Sequence, residues 1–138
     1  MDNINEIIGH EIHEITLLTW DDKVNPIRLE KICIDFGGHK LVLEVDCDFD
    51  ELKYKIVNDF AIQATENEHR IIDSTMVQDF GLKELFNKRL IWLWSMINNQ
   101  GFKDGLQIEL DYQTTFQFMA ESSAIRIKKL FDTNETCR

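Results

Sequence analysis

Residues 89–127, RLIWLWSMINNQGFKDGLQIELDYQTTFQFMAESSAIRI, are the stretch that decides the fold. Apolar residues alternate with mostly polar ones from Ile108 to Tyr112, and again from Phe116 to Ala120. Alternation with a period of two is typical of strands that bury one face. A connection over residues 113–115 predicts that Leu110 lies opposite Phe118. Residues 125–130 predict one further strand, with a bulge or corner at residues 121–123 before it.

An earlier stretch carries a second hairpin signal. Ile32–Phe36 and Leu41–Val45 alternate in the same way on either side of Gly37-Gly38. Two glycines supply the positive φ that a tight hairpin turn requires. With the turn at residues 37–38, the pattern predicts that Ile34 faces Leu41 and that Ile32 faces Leu43, a register in which the apolar faces of the two strands coincide.

Each hairpin follows a similar segment, NEIIGHEIHEITLLT at residues 5–19 and KELFNKRLIWLWSMI at residues 83–97. Aligned 78 residues apart, they pair Ile7 with Leu85, Gly9 with Asn87 and Ile12 with Leu90. This likeness indicates an internal pseudo-two-fold repeat with halves at residues 4–46 and 82–120. Coincidence between two generic amphipathic segments is the alternative, and both interpretations stay open. In either copy we expect a short helix, up to about residue 8 or 87, followed by a strand.

Residues 90–97 are apolar on both faces of the expected strand, with Trp92 and Trp94 on one side and Leu93 on the other. Such a strand is central, is covered on both sides, or lies at a subunit contact. Residues 52–57 also read as a strand, and residues 58–76 as strand fragments and loop. The sequence thus predicts a single α+β domain over residues 1–138. Its expected core is a bent antiparallel sheet of about six to eight strands with one or two short helices.

The charge balance is unusual, because 15 basic residues against 25 acidic ones give a net charge of −10. Such a field repels phosphate backbones and anionic lipid surfaces, so we expect no nucleic-acid or membrane partner. It favours encounter with a basic protein, although solubility alone also accounts for it. The three cysteines form no CxxC pair, and the N-terminus lacks the basic and apolar regions of a signal peptide. Reduced thiols and a cytoplasmic location are therefore expected.

An acidic row follows the first hairpin. Its carboxylates stand at alternate positions and are joined by one more at the end: Glu44, Asp46, Asp48, Asp50 and Glu51. Side chains at alternate positions of a strand share one face. A row of this kind is a solvated strand end, a contact for a basic protein, or a set of oxygen ligands for a hard cation. The spacing lacks the glycine and the final glutamate of a calcium-binding loop, so no metal site is predicted.

A polar loop over residues 98–105 is the second candidate, with Asn98, Gln100 and Asp104 between glycine-containing turns. Its amides and carboxylate either bind a ligand or partner peptide, or tie the loop to itself. The chain contains no phosphate-binding glycine motif and no nucleophile elbow around Ser122-Ser123. His10 and His13 lack the spacing of metal ligands on a helix. We therefore predict no catalytic residues, no metal and no cofactor.

The second half resembles a family of small bacterial proteins of unknown function. The resemblance covers roughly residues 4–20 and 85–130, and Glu121 departs from it. The residues that carry it are Ile8-Gly9-x-x-Ile12, Trp92-x-Trp94-x-Met96-x-Asn98-x-Gln100-Gly101-Phe102-x-Asp104-Gly105-x-Gln107-Ile108-Glu109 and Ala120-x-Ser122-Ser123. The family has no established activity, so the resemblance implies a compact bacterial cytosolic domain and no chemistry.

The first expectation for function is a non-catalytic acidic binding protein, of immunity or inhibitor type, that contacts a basic protein through the acidic row. One alternative is a structural homo-oligomeric component, such as a homodimer, because residues 90–97 are apolar on both faces. Another is a metal-dependent enzyme that uses the acidic row or the 98–105 loop.

Overall fold

A computed structural model describes residues 4–19, 28–46, 51–58, 70–71, 81–97, 101, 103–112, 114–121 and 124–130. The described part contains nine strands and two short 3-10 turns. The turns are Ile4–Glu6 and Lys83–Leu85. The strands are β1 Glu14–Thr19, β2 Lys31–Asp35, β3 His39–Asp46, β4 Glu51–Asn58, β5 Arg70–Ile71, β6 Leu90–Ile97, β7 Lys103–Leu110, β8 Thr114–Glu121 and β9 Ala124–Leu130.

The predicted α+β class is wrong, because the described part is almost entirely β-sheet and its helical elements are single 3-10 turns. A residue in a left-handed conformation follows each turn within three residues, Gly9 (φ 82°) after the first and Asn87 (φ 66°) after the second. The apolar spacing of Ile4, Ile7 and Ile8 fits a helix, but one turn already satisfies it. A helix this short gains too few backbone hydrogen bonds to offset the free-energy cost of nucleation.

All neighbouring strands run antiparallel, in two sheets instead of the one bent sheet that the sequence predicts. The first sheet has the order β4-β3-β2-β1-β5 and the second has the order β6-β7-β8-β9. Alternate residues of both sheets contribute to one apolar core. Its buried members include Ile15, Leu17, Ile32, Ile34, Leu41, Leu43 and Leu52 from the first sheet, and Leu90, Leu93, Leu106, Ile108, Phe116, Phe118 and Ile125 from the second. The two sheets therefore pack face to face as a β-sandwich.

The first predicted hairpin register is confirmed. Ile32 pairs with Leu43 and Ile34 with Leu41 across β2 and β3. Gly37 adopts φ 87° in the turn, and its N–H donates to the Asp35 carboxylate at 2.8 Å. The turn residues and the apolar pattern demand the same register, which is why the prediction succeeds here.

The second predicted register is wrong. Leu110 pairs with Thr114 instead of Phe118, because β7 ends at Leu110 and Asp111 and Tyr112 lie in a turn. Tyr112 takes φ 61° in that turn, a conformation that bulky side chains rarely adopt, so no residue preference in the sequence points to a turn at this position. The shift is an even number of residues, so the inward faces of β7 and β8 still coincide.

A reciprocal backbone junction links the two sheets at the segments that precede β1 and β6. Glu11 and Arg89 form an isolated antiparallel bridge at its centre. Around it, each hydrogen bond has a counterpart 78 residues away with the roles exchanged. The bonds run from Gly9 N–H to Leu90 O (2.8 Å), Asn87 N–H to Ile12 O (2.9 Å), Ile12 N–H to Lys88 O (2.9 Å) and Leu90 N–H to His10 O (3.1 Å). The two segments are thus related by a local pseudo-two-fold axis; their origin by duplication stays a prediction.

Replacing Phe118, which is fully buried in the shared core, tests the sandwich. Phe118→Ala removes an aromatic ring and leaves a cavity between the sheets, so we expect a loss of about 3–5 kcal/mol in the free energy of unfolding, measured in urea. Ile97→Ala is the matched control on an exposed position and should change it by less than about 0.5 kcal/mol. Equal losses for the two variants would contradict this assignment of the core.

Candidate functional site

The structure places part of the acidic row and leaves the rest outside the described residues. Glu44 and Asp46 lie near the end of β3, and Glu51 begins β4 directly opposite Asp46. Asp48 and Asp50 fall in residues 47–50, which are not described. The described carboxylates of the row are therefore divided between two paired strands instead of lying along one.

Two of these carboxylates form ion pairs with lysines of the same sheet. Lys31 is only 2% exposed, and its Nζ lies 3.6 Å from Glu44 Oε2. Lys53 Nζ lies 2.9 Å from Asp46 Oδ2, and this hydrogen bond, with the negative charge of Asp46, raises the pKa of Lys53 above its ordinary value. Glu44 thus balances a buried ammonium group, and less negative charge is left for a partner than the sequence suggests.

A cavity of about 250 Å³ opens beside these pairs on the outer face of the first sheet. Its lining residues are Val42, Glu44, Lys53, Tyr54 and Lys55. Charged groups of both signs line it, and two of them already take part in the ion pairs described above. Glu44 and Lys53 are therefore already engaged within the sheet, and only Lys55 adds a further charge to the cavity lining.

Within the described ranges, no group of three or more His, Cys, Asp and Glu side chains is arranged to hold a metal ion. His39 instead contacts Glu6, with Nε2 3.0 Å from the carboxylate, and so links the β2–β3 hairpin to the first 3-10 turn. Cys33 is a buried cysteine in β2.

The polar loop candidate is only partly placed. Asn98 and Gln100 lie outside the described residues, whereas Asp104 belongs to β7 and is half-buried. The register between β6 and β7 shifts after Met96, so Asp104 lies at a β-bulge beside the end of β6. Asp104 is therefore a strand residue instead of a member of the expected loop.

The most distinctive surface is strand β6, which forms one edge of the second sheet. Its exposed apolar side chains are large: Ile91 is 50% exposed, Trp92 40%, Trp94 44% and Ile97 62%. Of the three placements that the sequence left open for residues 90–97, a central strand is wrong. A subunit contact stays a prediction, since bulky apolar side chains grouped at one edge mark interaction surfaces.

The outward face beside this edge carries amides and one acid. In the β6–β7 register, Trp92 lies opposite Glu109, Trp94 opposite Gln107 and Met96 opposite Gly105. The Gln117 side-chain amide donates to Gln107 Oε1 at 2.9 Å, which fixes the polar row next to Trp94. Glu109 is therefore the only charged residue of β7 that faces the indoles directly across this register.

The other sheet edges in the described part differ from β6. β4 carries exposed Lys53 and Lys55, and β9 carries exposed Arg126, Lys128 and Lys129. β5 is only two residues long. Charged or very short edge strands prevent unwanted pairing with other chains, and all eight residues of β6, LIWLWSMI, lack a charge. β6 is thus the one long described edge without this protection.

The junction with residues 9–12 covers only the beginning of β6. Leu90 exchanges hydrogen bonds there with Gly9 and His10. Beyond it, no described strand pairs with the outer side of β6 from Ile91 to Ile97. This bare edge of β6, with its four exposed apolar side chains, is the candidate site.

A model of a protein family matches residues 1–134. The chain belongs to DUF6334, a family of unknown function. The expected membership of an uncharacterised family is thereby confirmed, and the motif read from Trp92 to Glu109 stays a prediction. No curated protein and no solved structure matches the DUF6334 chain. None of the helical elements in the described residues is long and apolar enough to cross a membrane.

The role of Glu44 in this DUF6334 protein can be tested against its use as a partner contact. Glu44→Gln leaves the buried Lys31 ammonium without its counter-charge, so we expect a loss of about 1–3 kcal/mol in the free energy of unfolding at neutral pH, between the values for exposed and buried pairs. Lys31→Met removes the buried charge and should stay within about 1 kcal/mol of the parent chain. If Glu44→Gln has the same free energy of unfolding as the parent chain, Glu44 does not stabilise the fold through its pairing with Lys31.

Proposed function

We propose that this protein is a non-catalytic binding protein that captures a basic protein partner, in the manner of an immunity or inhibitor protein. The observation that carries the proposal is the bare edge of β6, where Trp92 and Trp94 stand exposed on an uncharged strand. Tryptophan is enriched among the residues that dominate the binding energy of protein interfaces. Keeping two of them in water is costly unless a partner covers them.

The charge of the chain supports a basic partner. A net charge of −10 attracts a positively charged protein over a distance of about a Debye length and raises the association rate. In this proposal the acidic row from Glu44 to Glu51 adds to the long-range field, while β6 makes the central contact. This assignment follows from the ion pairs of Glu44 and Asp46, which leave those two carboxylates already engaged.

We place this function in the cytoplasm. The sequence has three cysteines, an odd number with no CxxC pair, and this usage is typical of proteins from a reducing compartment. The other alternative from the sequence, a metal-dependent enzyme, has no supporting observation among the described residues, so we do not propose it.

The experiment purifies the proteins encoded by the reading frames on either side of the gene and measures binding to any of them that is basic. Trp92→Ala combined with Trp94→Ala should weaken such a complex at least about 100-fold, because each truncation removes a central aromatic anchor. Tyr112→Ala is the matched control, since Tyr112 is an aromatic residue that is 82% exposed and lies outside β6. Calorimetric titrations at about 0.05 and 0.5 M salt should also show a steep loss of affinity with salt.

Two results would contradict the proposal. A complex that keeps its affinity in the double tryptophan variant would show that β6 is not the contact. A complex whose association rate ignores salt would show that the negative field has no part in capture. Far-ultraviolet circular dichroism of each variant checks that it remains folded.

A homo-oligomeric assembly component is the second candidate, and the sequence of β6 favours it. An antiparallel pair of β6 strands centred on Trp94 would bring Ile91 of one copy opposite Ile97 of the other, and Trp92 opposite Met96, with no charge in between. Sedimentation at micromolar concentration distinguishes the candidates. A dimer of the parent chain that dissociates in the Trp94→Lys variant would support self-association. A parent chain that sediments as a monomer would contradict the homo-oligomer candidate.

A further inference from the structure

The chain already shows how a strand is added to the corresponding edge of its other half. β5 pairs antiparallel with the end of β1, where Ile71 lies opposite Leu18 and Arg70 opposite Thr19. The positions 78 residues later, Met96 and Ile97, are the last two residues of β6. No described strand pairs with them on that side. In the first half, a further strand therefore pairs with the end of β1. At the equivalent position of the second half, the end of β6 has no such neighbour among the described strands.

An open strand edge presents backbone donors and acceptors as well as side chains. Along β6 this applies from Ile91 to Ile97, beyond the junction with residues 9–12. An extended peptide can pair with such an edge through main-chain hydrogen bonds, while its alternate side chains supply the specificity. The edge is long enough for several residues, and it has no lysine or proline to prevent the pairing.

The side chains around the edge favour a basic strand. The faces of Trp92 and Trp94 are electron-rich and attract arginine or lysine, and Glu109 opposite Trp92 adds a negative charge. Ile91 and Ile97 offer exposed aliphatic surface that favours an apolar neighbour. A strand that alternates arginine or lysine with aliphatic residues satisfies both. A second copy of the chain would instead bring its own charge of −10 towards this edge.

We infer that β6 receives an extended basic segment of the partner, which pairs antiparallel with residues 91–97 and becomes the fifth strand of the second sheet. The inference rests on the proposed function and adds the mode of contact and the chemistry of the segment. The basic side chains lie over Trp92 and Trp94, and the aliphatic ones lie beside Ile91 and Ile97. Backbone hydrogen bonds to β6 then hold the segment in register.

The test uses a synthetic heptapeptide that alternates isoleucine with arginine and is blocked at both ends. Tryptophan fluorescence reports its binding to the full chain, and amide hydrogen exchange reports where it binds. We expect slower exchange at those β6 amides that do not bond to β7. Affinity should fall at least about tenfold when every peptide nitrogen is methylated, and by a similar factor when glutamate replaces arginine. Ile97→Lys should weaken binding of the arginine peptide, because it gives β6 the charge that β4 and β9 carry.

Each alternative result overturns the inference in a distinguishable way. Equal binding of the methylated peptide would show a side-chain contact without strand addition. Protection at β4 or β9 in place of β6 would show that the wrong edge is assigned. A β6-mediated dimer that excludes the peptide would show that a second copy occupies the edge. If β6 fails to take up the peptide while the double tryptophan variant still loses a basic protein partner, the proposed function stands and only strand addition is wrong.

Discussion

The burial of two apolar sheet faces against each other is the constraint on which this structure depends. Each sheet contributes an alternating set of apolar residues to the shared core, and neither sheet is stable alone in water with that face open. The reciprocal hydrogen bonds between residues 9–12 and 87–90 bring the starts of β1 and β6 together at one junction. From there the chain enters opposite layers of the sandwich. The relative placement of all later strands follows from this junction and from the shared core.

That arrangement also explains why β6 has unburied apolar side chains. Its inward residues Leu90 and Leu93 are buried in the shared core. Trp92 and Trp94 point to the other side, where no described element covers them. On β4 and β9 the exposed positions hold lysine and arginine, which is how edge strands usually avoid other chains. Our proposal places a partner at β6 because of this contrast between the edges, more than because of the total charge.

The acidic row shows how tertiary pairing changes the meaning of charge. Read along the chain, Glu44 and Asp46 stand among carboxylates and suggest an unbalanced negative surface. In the sheet, Glu44 forms an ion pair with the buried Lys31 of β2, and Asp46 forms one with Lys53 of β4. Cross-strand partners cannot be read from a linear sequence unless the register is already known. The row therefore predicted a contact surface where the structure has, in part, internal charge balance.

The sequence predicted best where two independent local signals agreed. For β2 and β3, the Gly37-Gly38 turn and the apolar alternation specify one register, and the structure has it. For β7 and β8, the turn depends on the positive φ of Tyr112, for which no residue preference gives a signal, and the predicted register was wrong. The prediction of two short helices was wrong for a related reason. Apolar spacing that fits one helix face over a single turn does not distinguish an α-helix from a 3-10 turn.

The sequence by itself determined the strands, the inward face of most of them, one hairpin register, the net charge and the family. Only the tertiary structure decided that there are two sheets instead of one, that β6 lies at an edge, and that Glu44 and Asp46 form ion pairs with lysines. Periodicity is a property of neighbours along the chain, so it fixes which side of a strand is apolar. Which strand lies at an edge depends on pairings between residues far apart in sequence, and no local pattern contains that information.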